Sequence, residues 1–286
     1  MRTTGPASGS SARTVGVDAA ETARGDALLD TRACPLAWWD LHRRLPVGAP
    51  AHIAVRLTTE RSTTDDGQER ATGRGDDLPD QSVSQWEEGL LRQVLTGAGF
   101  TVIRLEASPS PERTSVVVRR ERTLADTVGP DMRLLLVGLN PSVYAADVGV
   151  GFARPGNRAW PALLTSGLVT VDRDPLHALV GHRVGMTDLV KRATVRADEL
   201  SPDEFADGLV RLESLCRWLE PRAVCVLGVT GWRAATGDRR SAIGPQERLL
   251  GGRPVYVAPN PSGLNAHTSV PDLVVHLRRA VCLGGA

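Results

Sequence analysis

The chain has 286 residues, of which 41% are hydrophobic and 23% charged, with a net charge of +1, and this composition fits a globular protein of one or two domains. No apolar stretch reaches the length of a membrane span, residues 1–20 lack the apolar core of a signal peptide, and the four scattered cysteines (Cys34, Cys216, Cys225, Cys282) form no Cys-x-x-Cys pair. Those facts argue against a membrane protein and against a zinc or iron–sulfur site, and they predict buried thiols in a reducing cytoplasm with no metal and no cofactor.

In chain order, residues 1–28 are rich in Gly, Ala, Ser, Thr and Arg without periodicity and predict a disordered tail. A helix is predicted over Leu36–Leu45 and a strand over His52–Leu57. Residues 58–84, with their Thr-Thr-Asp-Asp-Gly and Arg-Gly-Asp-Asp runs, predict a flexible insertion. Trp86, Leu90 and Val94 then fall at helical spacing, with Gly97 and Gly99 as stop signals. Val102–Leu105 and Ser115–Arg119 predict two short strands joined by Ser108-Pro109-Ser110-Pro111.

From Asp131 strand and helix alternate. Arg133–Leu139, Gly185–Val190, Ala223–Leu227 and Pro254–Ala258 are predicted strands, and Ala159–Ser166 is a short predicted helix ended by Gly167. Ser201-Pro202-Asp203-Glu204 is a capping box that opens a helix to Leu219, and Ser269–Pro271 opens the last helix. The alternation predicts an α/β fold of three layers around a mostly parallel sheet.

Two of the strands run into loops of the same composition. Leu134–Gly138 leads to Leu139-Asn140-Pro141-Ser142, and Val255–Ala258 leads to Pro259-Asn260-Pro261-Ser262-Gly263-Leu264. In an open parallel sheet ligands bind beyond the carboxyl ends of the strands, so the two loops define one site. Amide donors and acceptors without an obligatory charge suit a neutral ring.

At these loops the chain resembles the mismatch-specific uracil/thymine DNA glycosylases, a branch of the uracil-DNA glycosylase superfamily. The likeness covers residues 131–286 through G-L-N-P-S (138–142), G-F-A-R-P-G-N-R-A-W (151–160), M-T-D-L-V-K-R-A-T-V (186–195) and N-P-S-G-L-N (260–265). It implies a three-layer glycosylase domain over 129–286 that acts on double-stranded DNA carrying G·U or G·T mismatches, with a monomer favoured. Asn140 corresponds to the catalytic asparagine that holds water under C1′ of an extruded nucleotide. Phe152 corresponds to the aromatic that stacks on the base, with Gly138, Leu139, Pro141, Ala145 and Asn260 around it. Ser262, Gly263, Leu264 and Asn265 match the wedge that enters the duplex and reads the opposing guanine. Arg154, Arg158, Lys191 and Arg192 are candidate phosphate contacts, and Lys191 is the sole lysine.

The reaction implied is hydrolysis of the N-glycosidic bond after base flipping. The fast relatives carry Asp in the first loop and His in the second; Asn140 and Asn260 stand there instead, which predicts a slow enzyme with little dependence on pH between 6 and 9. Ala145, and Ser142 where the fast enzymes place a tyrosine, predict tolerance of thymine or etheno-cytosine. Without a lysine nucleophile the enzyme would be monofunctional.

Residues 29–128 resemble the C-terminal half of a class I methyltransferase, through L-T-G-A-G-F-T-V-I-R-L (95–105) followed by V-V-V-R-R (116–120), but lack its glycine-rich cofactor loop. A degenerate, non-catalytic unit is expected there. Two alternatives remain at this stage: a mismatch-binding protein that does not cleave, and a methyltransferase-derived interaction module.

Overall fold

The computed structural model describes residues 31–57, 85–107, 114–263, 265 and 267–285. The predicted tail, the insertion, the Ser108–Pro111 linker and Leu264 lie outside the described residues.

The first unit contains α1 (Cys34–Arg44), β1 (Pro50–Leu57), β2 (Gln85–Trp86), α2 (Glu88–Gly97), β3 (Phe100–Ala107) and β4 (Thr114–Arg120). Its sheet runs β2-β1-β4-β3, with β4 antiparallel to both β1 and β3 and a bulge between Val102 and Arg104. The two helices bury Trp38, Leu41, Leu91, Val94 and Leu95 against Ile53, Phe100, Val116 and Val118 on one face of that sheet. Residues of this size stabilise by about 1.5–3 kcal/mol each when fully buried.

The second unit is β5 (Leu134–Gly138), α3 (Val143–Val148), α4 (Ala159–Ser166), α5 (Pro175–His182), β6 (Val184–Asp188), α6 (Pro202–Leu219), β7 (Val224–Leu227), α7 (Val229–Thr236), β8 (Gly244–Pro245), β9 (Val255–Ala258) and α8 (Val270–Leu283). Its five-stranded sheet has the order β6-β5-β7-β9-β8, parallel except for β8. Strands β5, β6, β7 and β9 are buried along their whole length, which is why β5, β7 and β9 read as apolar runs, while β6 buries Thr187 and Asp188 at its carboxyl end. Alternation within them still sorts side chains to two faces. Leu135, Val137, Val224, Val226, Val255 and Val257 meet α6 and α7, while Leu134, Leu136, Cys225 and Tyr256 meet α4 and α8. The predicted three-layer α/β architecture is the observed one.

Both capping boxes form: Ser201 accepts from the Glu204 amide and Ser269 from the Asp272 amide. Helices α3, α5 and α7 were not predicted. The chain leaves β5 toward β6 on one side and returns across it to β7 on the other, so the strand order reverses at β5. Loops at the carboxyl ends of β5, β7 and β9 therefore open around one crevice.

A buried charge cluster joins the units. Asp126 donates its amide to Gly97 O (2.8 Å), and its carboxylate accepts from Lys191 Nζ (2.6 Å), Arg211 Nη1 (2.7 Å) and Thr187 Oγ1 (2.7 Å). Burial pushes the Asp126 carboxyl up, but the charges of Arg211 and Lys191 outweigh it and hold the group below its ordinary value.

Candidate active site

The crevice is a cleft of about 1250 Å³ whose walls include Gly138, Asn140, Ala145, Phe152, Asp188 and Asn260. Pockets for one small ligand run to about 300–1000 Å³, so this cleft exceeds a single small-ligand pocket and is open to solvent.

Strand β5 delivers Asn140 to the cleft, and the segment after β6 fixes it there. The Asn140 amide nitrogen donates to Thr194 Oγ1 (2.7 Å), to Arg192 O (3.0 Å) and to Pro141 O (3.3 Å). Three acceptors around the nitrogen fix which way the carboxamide points and leave Oδ1 as the acceptor available to the cleft. Thr194 is buried and tied to the same loop, since its own amide donates to Pro141 O and its carbonyl accepts from Val143.

Phe152 has φ of 57°, a left-handed conformation uncommon for an aromatic residue. Strain of this kind costs on the order of 1–3 kcal/mol and clusters at functional sites. Trp160 Nε1 donates to Gly151 O (2.7 Å) and anchors the preceding residue. Gly138 is required by close approach: a Cβ there would stand 2.3 Å from Asp188 Oδ1 and 3.2 Å from Phe152 Cε1. The absent side chain brings the aromatic ring and the Asp188 carboxyl together on the cleft floor.

The second loop is braced. Asn260 Oδ1 accepts from the Ser262 amide (2.9 Å), Asn265 Nδ2 donates to Asn260 O (2.9 Å), and Arg158 Nη1 donates to Ser262 O (3.0 Å) and Asn265 O (2.8 Å). Gly263 packs against backbone, and a Cβ there would come within 2.8 Å of Gly156 O. The junction of β7 and α7 lies between the two loops: Gly228 faces Asn260, and Gly231 in the first turn of α7 faces Leu139.

A family model of the uracil DNA glycosylase superfamily matches residues 125–281. The chain belongs to that superfamily. Membership makes it a DNA glycosylase by family, a hydrolase of base-excision repair that acts on DNA. In this glycosylase fold, residues 138–142, 145, 152, 260, 262 and 265 all line the one cleft, as the two-loop reading of the sequence requires.

Among the candidate cations, Lys191 departs from expectation. It is about one-tenth exposed and bound to Asp126 and to Leu124 O (2.5 Å), so its charge is engaged inside the protein and not offered to a phosphate. Arg192 is held by both oxygens of Glu204 (2.6 and 2.9 Å), and Arg158 braces the loop of Ser262 and Asn265. Arg154 is exposed on the lip of the cleft.

Sequence reasoning missed Asp188 and Thr194. Asp188 ends β6, is buried and lines the cleft. Burial raises its carboxyl to about 6; Lys191 and Arg211 oppose the shift and the Asp126 charge adds to it. The flat pH dependence was expected because Asn140 and Asn260 replace titratable residues in the two loops; Asp188 adds a titratable group on the floor that this expectation did not include. Among the described residues no group of three His, Cys, Asp or Glu side chains is arranged to hold a metal ion.

Proposed function

We propose that the protein is a monofunctional glycosylase of the mismatch-specific uracil/thymine branch, hydrolysing the N-glycosidic bond of uracil opposite guanine in double-stranded DNA. The observation that carries this reading is the Asn140 carboxamide, tethered through its nitrogen and open through its oxygen, in the same cleft as the Phe152 ring. Oδ1 accepts a hydrogen bond from a water and directs that water's lone pair at C1′. Phe152 stacks on the flipped base. As the C1′–N1 bond breaks, its electron pair passes to the pyrimidine, and the water attacks the resulting oxocarbenium-like carbon and gives up a proton that neutralises the pyrimidine anion, leaving free base and an abasic sugar.

Asparagine is no strong base, so catalysis comes from positioning and from stabilising the departing anion. Asp188 in its acid form donates to a base carbonyl, an arrangement that strengthens as charge develops on the leaving group. Occupation of the pocket by the base excludes water and favours that acid form further. Buried Ala145 leaves the wall without a bulky side chain and supports thymine and etheno-cytosine as further substrates. The internal ion pair of Lys191 supports monofunctional chemistry, since an ammonium bound to Asp126 and Leu124 is not a free amine for a Schiff base. The antiparallel β3–β4 hairpin supports the methyltransferase-like reading of residues 29–128 as a non-catalytic unit.

Single-turnover cleavage of G·U, G·T, A·U and single-stranded substrates, wild type beside Asn140→Ala, tests the proposal. Cleavage of G·U by wild type alone, leaving an abasic site with no borohydride-trapped complex, is expected. Tight binding of G·U without cleavage would make the protein a mismatch-binding one instead.

A further inference from the structure

The candidate cations picked from the sequence leave a question about DNA binding. Lys191, Arg158 and Arg192 all have internal partners, and a net charge of +1 supplies no broad attraction. Of the four only Arg154 stands exposed on the lip of the cleft, so further cations for the DNA backbone must be local and must come from elsewhere.

A second, smaller cleft of about 120 Å³ lies where the N-terminal unit meets the turn after α3, with Trp39, Arg43, Arg120, Leu124, Asp147 and Gly149 in its walls. The Arg43 guanidinium stands 4.6 Å from the centre of the Trp39 ring and donates to Gly149 O (3.3 Å). Stacking on the ring and that single bond hold it in place while leaving other N–H groups open. Arg120 donates through Nε to His42 O (2.9 Å), and among the described residues its Nη groups make no hydrogen bond. The carboxylate of this cleft, Asp147, is gripped by the fork of Arg122 at 2.8 and 2.7 Å. His42 is neutral, since burial and the Arg120 charge lower it to about 4. Arg43, Arg120 and Arg122 against Asp147 leave the cleft positive, with open donors on Arg43 and Arg120.

We propose that this cleft seats a backbone phosphate of the duplex whose nucleotide is flipped into the base pocket, which makes the N-terminal unit part of the DNA-binding surface. The proposal rests on the glycosylase reading for the identity of the polymer. Its placement follows from α3, which starts beside Ser142 in the wall of the base pocket and ends at Gly149 in the wall of the cleft. Its six residues span about 9 Å at about 1.5 Å each. Phosphates of one strand recur about every 3.4 Å along the duplex axis, so a cleft at this separation is within reach of a phosphate a few nucleotides or fewer from the target. Leu124 lines both the cleft and the base pocket and marks their continuity. Guanidinium forks match phosphate oxygens, and desolvation by the surrounding walls strengthens each contact.

The experiment measures Kd for G·U and matched G·C duplexes across a salt series, with wild type, the double variant Arg43→Gln/Arg120→Gln, and Arg119→Gln as a control. Arg119 is exposed and neighbours Arg120 on β4, so its side chain leaves the opposite face of the sheet. The double variant is expected to bind both duplexes about 3- to 10-fold more weakly, with the slope of log K against log salt reduced by about 0.9, the value for one phosphate of B-DNA. Arg119→Gln is expected to keep the wild-type slope.

Arg120 also braces α1, so Arg43→Gln alone is measured alongside, and melting temperature is followed for each variant. Unchanged affinity and slope in Arg43→Gln melting at the wild-type temperature would overturn the proposal. So would saturable binding of inorganic phosphate, lost in that variant, together with an unchanged duplex slope, because the cleft would then serve a free anion. Loss of slope in a protein that binds but never cleaves G·U would leave the cleft standing and remove the glycosylase reading.

Discussion

At Asn140 one side chain is divided between anchorage and chemistry: the nitrogen is held by Thr194, Arg192 and Pro141, and the oxygen serves the cleft. Asn140→Ala removes the positioned acceptor and should slow single-turnover cleavage by about 10²–10³-fold, the range for loss of one preorganised polar group, with duplex affinity little changed. Thr194→Val keeps the Asn140 oxygen but removes the shortest of the three bonds on its nitrogen, leaving those to Arg192 O and Pro141 O, and a loss of about tenfold is expected, on the order of 1.4 kcal/mol. A Thr194→Val enzyme as slow as Asn140→Ala would mean that the hydroxyl itself handles the water. Asp188 is the group expected to set the pH dependence. With its folded value near 6, above the ordinary 3.8, the folded protein binds the proton more tightly than the unfolded chain. Its stabilising contribution is complete below about pH 4 and is lost as pH rises through about 6, on the order of 3 kcal/mol for a shift of about two pH units. Cleavage should fall through the same window if the acid form is the useful one, and Asp188→Asn should abolish both slopes. Urea midpoints and single-turnover rates between pH 4 and 8 measure them, and a wild-type rate that is flat across that range would remove Asp188 from the reaction.

Among the elements, those with a start signal in the sequence were legible. The Ser201–Glu204 and Ser269–Asp272 boxes announce α6 and α8, and three of the buried strands, β5, β7 and β9, announce themselves by apolar runs. The unpredicted α3 and α7 are six and eight residues long and begin directly after site loops, where side chains answer to the cleft and not to a helical stripe. For α5 a signal was present, since Asp174 caps it and Pro175 occupies the first turn. The two Asn-Pro-Ser loops were legible because their composition is odd and their position at strand ends is general. Asp188 was not, because its nearness to Phe152 depends on the missing Cβ of Gly138, fifty residues away in the chain. The loop proposed to enter the duplex gives its own test. Gly263→Ala places a Cβ 2.8 Å from Gly156 O, backbone that cannot swing aside, so the loop held by Arg158 must shift. Binding to a G·U duplex should weaken by about tenfold, equivalent to about 1.4 kcal/mol, while the pH dependence set by Asp188 stays in place. Wild-type affinity in Gly263→Ala would mean that this loop does not enter the duplex.

For the whole molecule, the cluster around Asp126 ties folding, the union of the two units and the chemistry of the cleft together. Asp126 touches Gly97 of the N-terminal unit through its amide and Lys191 and Arg211 of the second unit through its carboxylate, and its charge acts on Asp188. Asp126→Asn leaves two buried cations without their shared counter-charge. Removing one partner of a buried pair costs about 3–5 kcal/mol, a large share of a domain's stability, and the urea midpoint should drop accordingly. The same change removes a negative charge that raises Asp188 and leaves Lys191 and Arg211 to act on it unopposed. The midpoint of the pH–rate profile should therefore move below about 6 in Asp126→Asn. Lys191→Met has the opposite sign, because Lys191 lowers Asp188, and its midpoint should move above about 6. A merely structural cluster would change stability in both variants and leave the two midpoints where wild type has them. Opposite displacement, read in folded protein at a temperature where both variants keep native circular dichroism, requires that the charge joining the two units also sets the protonation of the cleft floor.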